Sequence, residues 1–132
     1  MKRYMLDINV IGHLIREHHS VVQHVLSVPM SSLCISAITK GELLFGLARR
    51  PEAKRLHTAV REFLRRVDVL PWDSSIAECY GTARTEMERQ GRILTPLDLL
   101  IAVHAINMKM VLVTNDHAFQ YVQGLHIEDW TV

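Results

Sequence analysis

At 132 residues, 48% of them hydrophobic, the chain is long enough for one compact domain, residues 1–132, and apolar enough to fill a core. That content excludes a disordered chain. The formal net charge of +1 excludes attraction of nucleic acid by the whole molecule, so any such contact must come from a local patch. The two cysteines, Cys34 and Cys79, form no C-x-x-C pair and are too few for a disulfide-stapled secreted domain. The opening MKRYMLDINV has no long apolar run, because Asp7 interrupts it. Neither a signal peptide nor a membrane span is expected, and the cytoplasm is the expected location.

In chain order, residues 3–7 (RYMLD) read as a short strand and VIGHLI after it as helix. A second helix covers 20–28 and stops near Pro29. LCIS at 33–36 is a short buried strand. Leu43, Leu47 and their neighbours give helical spacing over Thr39 to Arg50. Residues 51–68 form the clearest amphipathic helix, with Pro51 in its first turn and Leu56, Val60, Phe63 and Val67 on one face. VLPW at 69–72 is strand or loop. Residues 74–90 are helical and end at Gly91, a C-terminal cap. Pro96 to Met108 is an apolar helix, VLVT at 111–114 a buried strand, and 125–127 a last edge strand. Short apolar strands alternating with helices predict a three-layer α/β/α fold around a mostly parallel sheet. Such sheets bind ligands at the carboxyl ends of their strands.

Four acids fall at strand ends or helix starts. Asp7 ends the first strand and Asp116 lies two residues past VLVT; Glu42 and Asp98 lie in the first turns expected for their helices. Converging carboxylates are hard oxygen ligands suited to Mg2+, which takes one or two of them together with waters and phosphate oxygens. Two such ions roughly 4 Å apart can activate a water and stabilise the leaving oxygen of a phosphodiester. Without a cation the acids would repel one another and take up protons. Each acid also has a plain structural explanation. Thr39-x-x-Glu42 and Thr95-x-x-Asp98 match the capping box, and Asp7 and Asp116 suit N-caps. Taken singly, capping is the stronger explanation.

The wording around the acids resembles the PIN-domain ribonucleases, in particular the VapC toxins of toxin–antitoxin pairs. Y-M-L-D-I-N-V is similar to their first motif, I-S-A-I-T-K-G-E-L-L-F-G at 35–46 to their second, P-L-D-L-L-I-A-V-H-A at 96–105 to their third, and L-V-T-N-D-H-A-F at 112–119 to their fourth. The resemblance spans essentially the whole chain, in the family's order. Ile8 stands where the family usually has Thr, and the position of Asp116 is the least constant of the four. The resemblance implies a PIN-like fold and an endoribonuclease in which Asp7, Glu42, Asp98 and Asp116 are catalytic. Asp7, Asp98 and Asp116 would hold Mg2+, or Mn2+, while Asn9 and Thr114 orient the acids. It further implies cleavage of structured RNA, with transfer RNA and the anticodon loop of initiator tRNA as targets, leaving a 3′ hydroxyl and a 5′ phosphate. A homodimer and a VapB-type antitoxin complete the picture. The antitoxin would block the acidic pocket with a basic side chain and carry the complex to promoter DNA.

Other features have blander explanations. Residues 49–66 hold seven of the 15 basic residues and two acids. They could grip RNA phosphates, but a solvated amphipathic face is favoured. The eight histidines form no H-E-x-x-H or Cys-linked pattern, so zinc is not expected, and His104 in its apolar helix reads as structural. Both cysteines read as small core residues, and Trp72 and Trp130 as core or dimer contacts. A catalytically silent PIN-like binding module would have no reason to keep all four acids. A receiver-like signalling domain needs an acid beside Asp7 and an Asp within 50–60, and has neither.

Overall fold

The computed structural model describes residues 2–132. Five strands, β1 (Tyr4–Leu6), β2 (Leu33–Ser36), β3 (Asp68–Leu70), β4 (Val111–Val113) and β5 (His126–Glu128), form one sheet in the order β3-β2-β1-β4-β5. All four pairings are parallel. Six helices connect them: α1 (Ile8–Ile15), α2 (His19–Leu26), α3 (Ala37–Ala48), α4 (Lys54–Arg66), α5 (Ser74–Arg89) and α6 (Pro96–Asn107). Short 3-10 turns lie at Met30–Ser32 and His117–Tyr121.

The period-two alternation of the strands divides the core. Met5, Cys34 and Leu112 point to one face and pack with Ile76, Met87, Leu99 and Ile101 of α5 and α6. Leu6, Ile35 and Val113 point to the other and pack with residues of α1, α2, α3 and α4, among them Val10, Val21, Leu43 and Val60. With both faces covered the central strands β1, β2 and β4 have no solvated side, which explains their apolar runs and yields the expected α/β/α layers, while the edge strands β3 and β5 keep polar residues. Trp130, 2% exposed, seals the second cluster, while the Trp72 indole donates to the Leu100 carbonyl at 2.9 Å. Cys34 is buried, Cys79 partly so, and both are free thiols. Among the described residues no helix is long and apolar enough to cross a membrane.

Two helix starts differ from the sequence expectation. The capping box expected at Thr39 is absent: Ser36 caps α3 instead, its Oγ accepting from the Ile38 N–H at 3.1 Å. The helix therefore begins at Ala37, directly off β2, and Glu42 stands in its second turn rather than its first. Pro51 does not open α4. It follows the C-cap of α3 at Arg49, where a proline ends the helix, and α4 begins at Lys54 after the turn. Thr95 does cap α6, its Oγ1 accepting from the Asp98 N–H at 3.2 Å. Gly91 has φ +68°, as a C-terminal cap requires.

Candidate active site

The strand order fixes where a site can form. From β1 the chain crosses to β2 and β3 on one side, while β4 and β5 lie on the other. The crevice between the carboxyl ends of β1 and β4 is thus the topological switch point. Asp7 leaves β1 there, and Thr114 leaves β4 one position beyond the Leu6–Val113 pair. Helix α3 leaves the carboxyl end of the adjacent β2. Helix α6 precedes β4 and runs back along the sheet, so its N-terminus, with Asp98 in the first turn, returns to the same edge.

Asp7 is 3% exposed and fully engaged. Its Oδ1 accepts from the Ile8 N–H at 2.9 Å, capping α1, and its Oδ2 accepts from the Thr114 hydroxyl at 2.9 Å. The same Thr114 oxygen accepts from the Asp116 N–H at 3.1 Å. One buried hydroxyl, 1% exposed, thereby ties the first acid to the loop that carries the fourth. Asp116 is exposed and caps the following 3-10 turn through the Ala118 N–H at 2.9 Å. The capping explanation of Asp7 and Asp116 is thus borne out, and it coexists with the clustering. Asn9 is exposed in the first turn of α1, and among the described residues its side chain makes no hydrogen bond to the acids.

The acids sense one another. Burial raises the pKa of Asp7, and the charges of Asp98 and Asp116 raise it further against the two hydrogen bonds that lower it. Burial raises Glu42, with Asp98 and Asp7 adding to it. Burial also raises Asp98, against its hydrogen bond with Thr95, and Asp116 adds to the rise. Repulsion of this kind is what a bound cation would relieve. Among the described residues no three His, Cys, Asp or Glu side chains converge closely enough to cage a metal by themselves. An open acidic edge of this kind would suit a cation that keeps several waters and needs only one or two carboxylates.

The structural role expected of His104 is borne out, but sequence reasoning missed its hydrogen-bond partner and the exposed apolar residues beside the acids. His104 of α6 is fully buried, and its Nδ1 lies 2.8 Å from the Ser36 Oγ that caps α3. It therefore joins the helix of Asp98 to the helix of Glu42. Phe45 and Leu97, 62% and 46% exposed, stand beside Glu42 and Asp98 on those helices. The signal in the sequence was a large apolar residue within three positions of each acid.

A family model described as the PIN domain matches residues 4–125. The tRNA(fMet)-specific endonuclease VapC of Shigella flexneri is 34% identical over 132 residues, covering 99% of this chain and 100% of the relative. Ribonuclease VapC1 of Haemophilus influenzae strain R2866 is 33% identical over 131 residues, covering 97% and 98%. Among solved structures, DNA-bound VapBC from Salmonella typhimurium aligns with a TM-score of 0.90 at 33% identity, covering 98% of this chain and 99% of that one. VapBC2 from Rickettsia felis, bound to a promoter DNA fragment, aligns with a TM-score of 0.87 at 30% identity, covering 95% and 96%. In sequence along nearly its full length, and in overall structure, the chain belongs to the PIN-domain family and, within it, to the VapC group.

Proposed function

We propose that this protein is a divalent-metal-dependent endoribonuclease, the toxin of a toxin–antitoxin pair. One observation supports the reading: at the carboxyl edge of the sheet Asp7, Glu42 and Asp98 are raised above their ordinary pKa by burial and by one another's charge or that of Asp116, in a chain related over nearly its full length to proteins named VapC ribonucleases. Asp7, Asp98 and Asp116 would hold Mg2+, with Mn2+ as the substitute, and Glu42 completes the pocket. When bound, the ion would supply an activated water and neutralise charge on the leaving oxygen. The Thr114 hydroxyl and the Ile8 N–H engage the two oxygens of Asp7, so its carboxylate would meet the cation without reorganising. The raised pKa of Glu42 moves it toward the range in which a carboxylate accepts a proton usefully.

The substrate reading is structured RNA, and more narrowly initiator transfer RNA, following the activity named for the Shigella relative, with the anticodon loop as the proposed place of the cut. The regulatory reading is a VapB-type antitoxin, since the solved Salmonella and Rickettsia relatives are VapBC complexes on DNA. The toxin would reach promoter DNA only through that complex, as a homodimer in the cytoplasm. Cleavage of total small RNA by purified protein tests the enzyme, with Mg2+, with chelator, and with Asp98→Asn. Discrete fragments that need both metal and Asp98 support it. No cleavage by folded, antitoxin-free protein, or equal cleavage by Asp98→Asn, refutes it.

A further inference from the structure

Helices α3 and α6 do more than carry Glu42 and Asp98. Between them runs an open groove of about 720 Å³, and Ile8, Glu42, Phe45, Arg49 and Leu97 are among the residues that line it. Glu42 lines the groove directly, and Ile8 and Leu97 are the sequence neighbours of Asp7 and Asp98. Gly41 and Gly46 also line it, and a Cβ at either would meet nothing within 4 Å. The space above them is free.

The furniture of this groove is unusual for a solvated helix face. Phe45 lies one turn beyond Glu42 and is 62% exposed. The Arg49 guanidinium sits 4.8 Å from its ring centroid, one further turn along. Arg49 also lines an adjoining groove of about 460 Å³ with Arg16 and Arg50. Among the described residues none of these three arginines is in an ion pair. An aromatic face, a planar cation and unpaired positive charge thus lead into a carboxylate cluster that would itself repel a polyanion. Unpaired RNA bases are held by such parts: they stack on aromatic rings and guanidinium planes while basic side chains track the phosphates.

We infer that Phe45 and Arg49 form a base-stacking site that seats an unpaired nucleotide of the RNA next to the cleavage centre, with Arg16 and Arg50 gripping the flanking phosphates. The inference rests on the ribonuclease reading above and adds the element that selects single-stranded over paired substrate. A base inside a duplex is stacked on its neighbours and cannot present a face to Phe45.

The test separates the two claims. Binding is measured in the Asp98→Asn background, with a single-stranded RNA of roughly 12 nucleotides, the length a stacking groove spans, and with a duplex of the same sequence. Phe45→Ala should weaken single-strand binding about 5- to 150-fold, the range for loss of one stacked base. Phe45→Trp should keep it within about threefold, and duplex binding should change little. In the otherwise native enzyme Phe45→Ala should raise KM with kcat preserved, and the melting temperature should not fall, because the ring is exposed. Single-strand binding within twofold of the parent, or rescue by Phe45→Leu as complete as by Trp, overturns the inference. So does a Phe45→Ala defect confined to affinity for the purified antitoxin, which would make the ring a protein contact. If the native enzyme cuts no RNA, the ribonuclease reading fails on its own count. If it cuts RNA and Phe45→Ala binds like the parent, only the stacking site fails.

Discussion

Thr114→Val tests how far one buried hydroxyl offsets the burial of the Asp7 carboxylate. Valine keeps the shape of threonine and removes the O–H that donates to Asp7 Oδ2 at 2.9 Å. A hydrogen bond to a charged group is worth about 1.5–3 kcal/mol, and Asp7 at 3% exposure cannot recover it from water. Loss of the acceptor for the Asp116 N–H adds little, since that loop is partly hydrated. For a chain of this length the expected fall in Tm is about 5–12 °C near neutral pH. The deficit has a pH signature. Burial already raises the pKa of Asp7 and the Thr114 hydrogen bond opposes the rise, so its removal raises the pKa further. A carboxyl with a raised folded pKa favours the fold below its ordinary value and loses that contribution as pH climbs through the folded value. The Tm gap between Thr114→Val and the parent should therefore widen with pH through and above the carboxylate range and narrow in acid. Thr114→Ser, which keeps the O–H, is the control. Melting of Thr114→Val within about 1 °C of Thr114→Ser at neutral pH, or a gap indifferent to pH, would refute the reasoning.

Two further predictions concern charge. The raised pKa values of Asp7, Glu42 and Asp98 mean that their ionisation costs stability, a cost absent below the ordinary carboxylate range and growing as pH rises through their folded values. Asp98→Asn should therefore raise the Tm of metal-free protein near neutrality by about 1–4 °C, and millimolar Mg2+ should raise the Tm of the parent more than that of the variant; equal Mg2+ shifts in thermal melts would count against a cation site at these acids. His104 behaves oppositely: burial lowers its pKa against the weak pull of Asp73, so its contribution is full above the ordinary histidine value and is lost as pH falls toward the folded one. His104→Asn, which can still meet Ser36, should flatten stability against pH below about 6.5 in denaturant titrations, and an unchanged slope would show that another group sets it.

Much of this was legible in the chain because it is written in local terms. Apolar runs of three or four residues mark strands buried on both faces, and proline and glycine mark helix ends, so the layers and the parallel sheet followed from pattern alone. The capping residues were legible in kind but not always in place. Ser36 and Thr39 are both good caps, and only the direct passage of the chain from β2 into α3 at Ser36 decided that Ser36 takes the role and moves Glu42 to the second turn.

The sequence by itself determined which acids exist, that each stands at a strand end or near a helix start, and that their surrounding motifs run in the order of the PIN-domain family. Only the tertiary structure decided that these positions share one edge. That depends on strand order, with β4 beside β1 although more than a hundred residues separate them, and strand order is set by which apolar faces pack together rather than by any local signal. The same holds for the hydrogen bond from Thr114 to Asp7, the link between His104 and Ser36, and the exposure of Phe45 beside Glu42. Each joins elements distant in sequence, or leaves a residue uncovered that local pattern would bury.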